Sequence, residues 1–182
     1  MIKQRIHEYL LNCAHRKVFQ VEIAERLNCT QMHVSKTIRE LKKKGIITKE
    51  GKNAVAVINP FLLCANLAYE TEKEKPLYFQ APDFEDIMQI LKKTKYYAIT
   101  SESAKIIKNN KIPKIITARI LNKDLPLLKE YFNEVIKPEK ANLIIYLSNI
   151  MKFMLTQNHN EIELANEWQL MYDLIRENKM KI

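Results

Sequence analysis

Between positions 31 and 52 the chain carries Gln31, Met32, His33, Ser35, Lys36, Arg39, Lys42, Lys43, Lys49 and Lys52. Amide, imidazole, hydroxyl, ammonium and guanidinium groups can all hydrogen-bond base edges, and the last two also neutralise phosphates. Placed on a helix at about 100° per residue, Met32, Lys36, Arg39 and Lys43 fall opposite the apolar triplet Val34, Ile38 and Leu41. Gln31 and His33 then flank the N-terminal end of that helix. This pattern assigns Gln31, His33 and Lys36 to base readout. It assigns Arg39, Lys42 and Lys43 to phosphates, together with Lys49 and Lys52 further on. The bland alternative is a positive helix face that is only solvated.

Other chemistry finds little support. Gly45 and Gly51 are the only glycines, which excludes a phosphate cradle, because such loops need glycine to bring the backbone up to the anion. Beyond position 82 the aspartates are Asp83, Asp86, Asp124 and Asp173, none in the D-x-D spacing that would clamp a hard cation. Glu163 and Glu167 read as a solvated helix face. Ser101 or Ser103 with His159 would need a third group and an oxyanion turn to act as a nucleophile, and neither is evident. His159 is expected in a polar loop, 157–160. Catalytic residues, metal and cofactor are therefore expected to be none. Cys13, Cys29 and Cys64 are far apart and lack CxxC spacing, as suits small buried thiols in a reducing compartment. No stretch approaches the roughly 18 apolar residues of a membrane span, and MIKQRIHEYL lacks the apolar centre of a leader. A cytoplasmic protein without a membrane partner is expected.

The elements that must position the cations are legible in the apolar spacing. Ile2, Ile6, Tyr9, Leu10 and Cys13 mark a first helix, and Ile23, Ala24 and Leu27 a short second one. Asn28-Cys29 forms a turn, Thr30 an N-cap, and a third helix runs from Gln31 to about Lys44, stopped by Gly45. Ile46–Thr48 and Ala54–Ile58 read as strands joined by a turn over Lys49–Asn53 that carries Lys49 and Lys52 at its tip. Helix, tight turn, helix and hairpin together make a winged helix-turn-helix. Segment Val21–Ile58, containing EIAERLNCTQMHVSKTIRELKKKGIITKEGKNAVAVI, resembles that of MarR-like and related prokaryotic transcription factors. The resemblance implies binding to double-stranded DNA, with a homodimer on DNA as the expected form. Charge agrees: up to Asn66 there are twelve Lys/Arg against five Asp/Glu, and from Leu67 eighteen against sixteen, of a formal +9 overall. A basic module joined to a near-neutral one is the outline of a nucleic-acid reader with a second domain.

The expected boundaries are a DNA-binding domain over 1–66, a linker over 67–82 and a second domain over 83–182. Phe61-Leu62-Leu63 extends the first domain as a helix, and the charge run ETEKEK with Pro76 and Pro82 marks the linker. In the second domain helices are expected at 84–91, 102–109 and 125–132, and in a final stretch over 162–176. Strands are expected at 96–100, 114–121 and 142–147, giving an α+β fold class with a small α/β layer domain at its C-terminal end. Tyr97, Ala98, Thr100, Ser103 and Ala104, then Gln169, Leu170, Tyr172, Asp173 and Leu174, resemble two motifs of the AbiEi family of type IV toxin–antitoxin antitoxins. Ser101 stands where that family has glycine, and Glu167-Trp168 replaces its proline-containing approach to the second motif. The resemblance implies a nucleotidyltransferase-like fold, non-catalytic here for want of a Gly-Ser turn and paired aspartates. It further implies an antitoxin-like repressor acting at its own promoter, with a toxin-type nucleotidyltransferase as partner. On the residues alone, a one-component regulator whose second domain senses a small effector remains open.

Overall fold

The computed structural model describes residues 2–70, 75–148, 153 and 156–178. The chain forms two compact units, Met1–Glu72 and Lys73–Ile182. The first holds helix α1 (Ile2–Asn12), strand β1 (Val18–Phe19), helices α2 (Gln20–Arg26) and α3 (Gln31–Lys43), strands β2 (Ile47–Glu50) and β3 (Ala54–Val57), and helix α4 (Pro60–Glu70). Ile6, Tyr9, Leu10, Ile23, Leu27, Val34, Ile38, Leu41, Ile46, Val55 and Leu63 are buried. These are the positions that the helical and strand periods select. Asn28 takes the left-handed turn at φ 47, a conformation asparagine tolerates better than most residues.

The C-terminal end of α3 is tied to α1 and α4 by alternating charges. Lys3 pairs with Glu40 at 3.1 Å and Glu70 at 3.2 Å, and Lys44 pairs with Glu70 at 3.1 Å. Beneath them His7 is buried with neither ring nitrogen hydrogen-bonded. Glu70 lies 4.0 Å away, yet burial outweighs its attraction and lowers the His7 pKa to about 4, so the ring is neutral at pH 7.

The linker expected over 67–82 is shorter than that among the described residues. Residues 67–70 complete α4, because Leu63, Cys64, Ala65 and Leu67 are buried and Glu70 is held by two lysines. Residues 77–80 form strand β4 (Leu77–Gln80), whose Phe79 is fully buried. Pro76 and Pro82 bracket this strand. The rest of the charge run, Thr71–Glu74, lies outside the described residues.

The second unit continues with α5 (Phe84–Lys93), β5 (Tyr97–Ile99), α6 (Ser101–Lys108), β6 (Ile116–Leu121), α7 (Leu125–Tyr131), β7 (Asn133–Glu134), β8 (Leu143–Ser148), β9 (Gln157–His159), β10 (Ile162–Leu164) and α8 (Glu167–Asn178). Its mixed sheet has the order β7-β4-β8-β6-β5-β10-β9, parallel between β6 and β8 and between β5 and β10. Two expectations are corrected here. Residues 162–164 are a strand, not the start of the last helix, and His159 lies in a strand instead of a loop. Asn160 and Glu161 at φ 49 and 62 form the tight turn that lets these two short strands pair. Ser101 adopts φ 56, a left-handed strand-to-helix turn that costs a residue other than glycine about 1 kcal/mol.

Alternation on β6 sends Ile116, Ala118 and Ile120 into the main core and Arg119 to the opposite side. There Arg119 Nε donates to Asp173 Oδ2 at 3.0 Å and Nη2 to Oδ1. Nη1 donates to Ser148 Oγ at 2.7 Å, and the guanidinium lies 5.1 Å from the Tyr146 ring. Asp173 also accepts from the Thr100 hydroxyl and from Gln169 Nε2, the latter at 2.9 Å. Both charged groups are buried. Tyr172 and Leu170 of the same helix are core residues.

Two stability measurements follow from this packing. His7 titrates near 6.5 when unfolded and near 4 when folded, so its stabilisation is complete above pH 6.5 and is lost as pH falls toward 4. The linked loss is on the order of 3 kcal/mol, and His7→Leu should flatten denaturant midpoints of the first unit between pH 7.5 and 4.5. Asp173→Ala should cost about 3–5 kcal/mol by stranding a buried guanidinium, and Arg119→Met with Asp173→Leu should recover most of that. An unchanged unfolding curve for Asp173→Ala would contradict this assignment.

Candidate nucleic-acid interface

The recognition face is built from α3 outward. Thr30, in extended conformation, caps the helix: its Oγ1 accepts from the His33 N–H at 3.4 Å and lies 2.9 Å from His33 Nδ1. The imidazole is thereby folded back onto the cap. Thr30 Oγ1 can donate to or accept from Nδ1, so the contact holds in either ring tautomer. Thr37 is buried and donates to the His33 carbonyl at 3.0 Å. Val34, Ile38 and Leu41 are buried, so the opposite side is forced into solvent. Gln31, Met32, His33, Lys36, Arg39, Lys42 and Lys43 are all exposed, and Met32 retains 75% of its surface. Ser35 is half-buried on the flank.

The wing stands beside this helix. Gly45 at φ +69 ends α3, and Gly51 at φ +80 turns the hairpin. β2 and β3 pair antiparallel with Lys49 opposite Val55 and Glu50 opposite Ala54, and β1 adds a third strand through Val18–Val55 and Phe19–Ala54. Sequence reasoning missed β1, because two residues carry no periodicity. Its consequence is functional: the chain enters α2 anchored to the wing, with the Gln20 N–H donating to the Asn53 carbonyl at 3.0 Å. Lys49 lies in strand β2 and not in the turn, since pairing with Val55 extends the ladder through Glu50. Lys52 occupies the tip.

Gln20, Ser35, Ile38, Arg39, Lys42 and Lys49 line a cleft of about 220 Å³ between the start of α2, the recognition helix and the wing. Gln20 was not among the sequence candidates, because only the small sheet brings it beside Arg39 and Lys49. Among the described residues, Lys36, Arg39, Lys42, Lys43, Lys49 and Lys52 take part in none of the ion pairs. Elsewhere in the unit Lys3, Arg16, Lys17 and Lys44 are neutralised by Glu40, Glu22, Glu50 and Glu70. Lys17 cancels the wing's own acid, Glu50. Glu22 accepts from Arg16 Nη2 at 2.5 Å and from the Tyr9 hydroxyl at 2.7 Å, which lowers its pKa to about 2. Of the six cations outside the ion pairs, Arg39, Lys42 and Lys49 share the cleft, while Arg5 and Arg26 lie on α1 and α2.

Residues 4–65 match the family described as the Crp-like helix-turn-helix domain, which supports a DNA-binding transcriptional regulator. No curated protein and no solved structure matches the chain. Among the described residues no helix is long and apolar enough to cross a membrane.

Free cations at a groove-shaped face predict a measurable split. Duplex binding should weaken steeply with salt, because each neutralised phosphate releases counterions. Arg39→Ala, Lys49→Ala and Lys52→Ala should weaken all sequences alike and flatten the salt slope. Gln31→Ala or Lys36→Ala should change the preferred sequence, by about 1–3 kcal/mol for a good base-edge pair. Identical behaviour of both sets across operators would remove the distinction between readout and anchoring.

Proposed function

We propose that this Crp-like reading head serves a sequence-specific repressor of its own operon, of the antitoxin kind. The observation that carries the reading is the set of six exposed cations of α3 and the wing that enter no ion pair among the described residues. In this reading the chain binds its promoter as a homodimer, because one recognition helix covers few base pairs and a symmetric pair covers two half-sites. The second unit is an interaction module that engages a nucleotidyltransferase-type toxin encoded beside it. A non-catalytic role for that unit is supported by Asp173. Its carboxylate is the one the antitoxin-like motif contributes, and it is neutralised by Arg119 and hydrogen-bonded by Thr100 and Gln169. A carboxylate so held is a packing element and not a free metal ligand.

The test is binding of the purified chain to the DNA upstream of its own gene, with and without the neighbouring gene product. The expected result is affinity for the upstream duplex at least about 10³-fold above random duplex at physiological salt, altered by the neighbouring product. Equal affinity for both duplexes removes the repressor reading. Specific binding that the neighbouring product leaves unchanged removes the antitoxin part alone. Nucleotide transfer by the wild-type chain with Mg²⁺ or Mn²⁺ would overturn the non-catalytic assignment.

A further inference from the structure

The second unit also carries a surface groove beside α6. After α6 the chain turns through Asn110 at φ 54 and runs through residues 111–115 into β6. Between α6 and this segment lies an open groove of about 530 Å³. Its walls are apolar: Ile106, Ile112, Pro113 and Ile115 line it, with Ile112 exposing 66% and Ile115 48% of their surface. The polar groups at its base are already satisfied. Ser103 Oγ donates to the Thr100 carbonyl at 2.8 Å and accepts from the Thr117 N–H at 2.9 Å. An occupant meets hydrocarbon from Ile106, Ile112, Pro113 and Ile115, with Glu102 and Lys114 as the charged groups of the lining.

The surroundings are predominantly basic, and the carboxylate that lines the groove, Glu102, is paired with Lys105. Lys105, Lys108, Lys111 and Lys114 recur at three-residue steps, and no carboxylate occurs in the sequence between Glu102 and Asp124. Lys105 is taken by Glu102 at 3.5 Å and Lys108 by Gln157 at 2.9 Å. Lys111 and Lys114 are exposed and have no ion pair among the described residues. Exposed β-branched residues flanked by unpaired cations have the anatomy of a protein interface, apolar in the middle and polar at the edge. A small ligand is disfavoured because such ligands need most of their surface enclosed, and this groove is open. Nucleic acid is disfavoured because protein–DNA interfaces are strongly polar and positive, and here isoleucines stand where the contact would fall.

We propose that the groove between α6 and residues 111–115 docks an acidic, apolar-anchored segment of a partner protein. Its hydrophobic side chains lie against Ile112 and Ile115, and its carboxylates pair with Lys111 and Lys114. This inference deepens the interaction-module reading and rests on it for the biological partner, but binding itself is measurable on the chain alone.

The experiment selects a random 12-residue peptide display library against the full chain, and titrates the enriched peptides on three proteins. These are wild type, Ile112→Asp with Ile115→Asp, and Lys111→Glu with Lys114→Glu. All four positions are exposed, and thermal unfolding together with duplex-DNA binding verifies each fold. The expected result is enrichment of sequences combining Asp or Glu with Leu, Ile or Phe. Their affinity should fall at least about tenfold in both variants and decline with salt, with DNA binding unchanged. No enrichment, enrichment of Lys/Arg-rich peptides, or equal binding to the variants would overturn the proposal. So would a Lys111→Glu/Lys114→Glu chain that loses duplex DNA as strongly as peptide, which would make the rim a nucleic-acid surface. Failure of the peptide arm with operator binding intact removes the groove and leaves the repressor reading standing.

Discussion

Burial of Val34, Ile38 and Leu41 is the constraint on which the reading head depends. Once that stripe is committed to α1 and α2, the remaining sides of α3 have no choice but to face solvent, and they carry Lys36, Arg39, Lys42 and Lys43. Desolvation would penalise these charges heavily without partners, so the same packing that stabilises the unit also displays its cations. The acids of the unit reinforce the arrangement. Glu22, Glu40, Glu50 and Glu70 are drawn to Arg16, Lys3, Lys17 and Lys44, which leaves the recognition side uncompensated. Attraction for a polyanion is therefore a product of which cations the fold neutralises as much as of how many it has.

The second unit solves a different problem. A seven-stranded mixed sheet with short outer strands gains little from each edge pairing, and a buried ion pair connects its centre to the last helix. Arg119 and Asp173 attract one another strongly in a dry environment, but each also had to leave water. Ser148, Tyr146, Thr100 and Gln169 supply the extra contacts that make that desolvation tolerable. Together with Arg119 of β6 and Asp173 of α8, these partners tie β6, β8, the turn at Thr100 before α6 and α8 to one another.

The two halves also differ in how their charges relate to packing. In the first, Lys3 and Lys44 brace α3 from its C-terminal end, over a neutral, buried His7. That placement links the stability of the first unit to proton concentration below neutrality. In the second, Lys105 and Lys108 are held by Glu102 and Gln157, while Lys111 and Lys114 are exposed and enter no ion pair among the described residues.

By itself the sequence determined the helix-turn-helix. Apolar residues recurring at helical spacing, a threonine before Gln31 and glycines at 45 and 51 are local signals, each acting within a turn or two of chain. The recognition face followed from them, because a helix with one buried stripe can be projected without knowing what buries it. Long strands with several inward residues, such as Ile116–Leu121 and Leu143–Ser148, were legible for the same reason. Tertiary structure alone decided the rest. Strands β1, β7, β9 and β10 have two or three residues each, too few for a period, and exist because a neighbour's backbone needs pairing. Gln20 joins the basic cleft only when β1 lies against β3, and Lys49 leaves the turn only when Val55 lies opposite it. Arg119 and Asp173, 54 positions apart, carry no local signature of their union. Burying two charges together is a property of the assembled core, and no window of sequence short enough to read contains both.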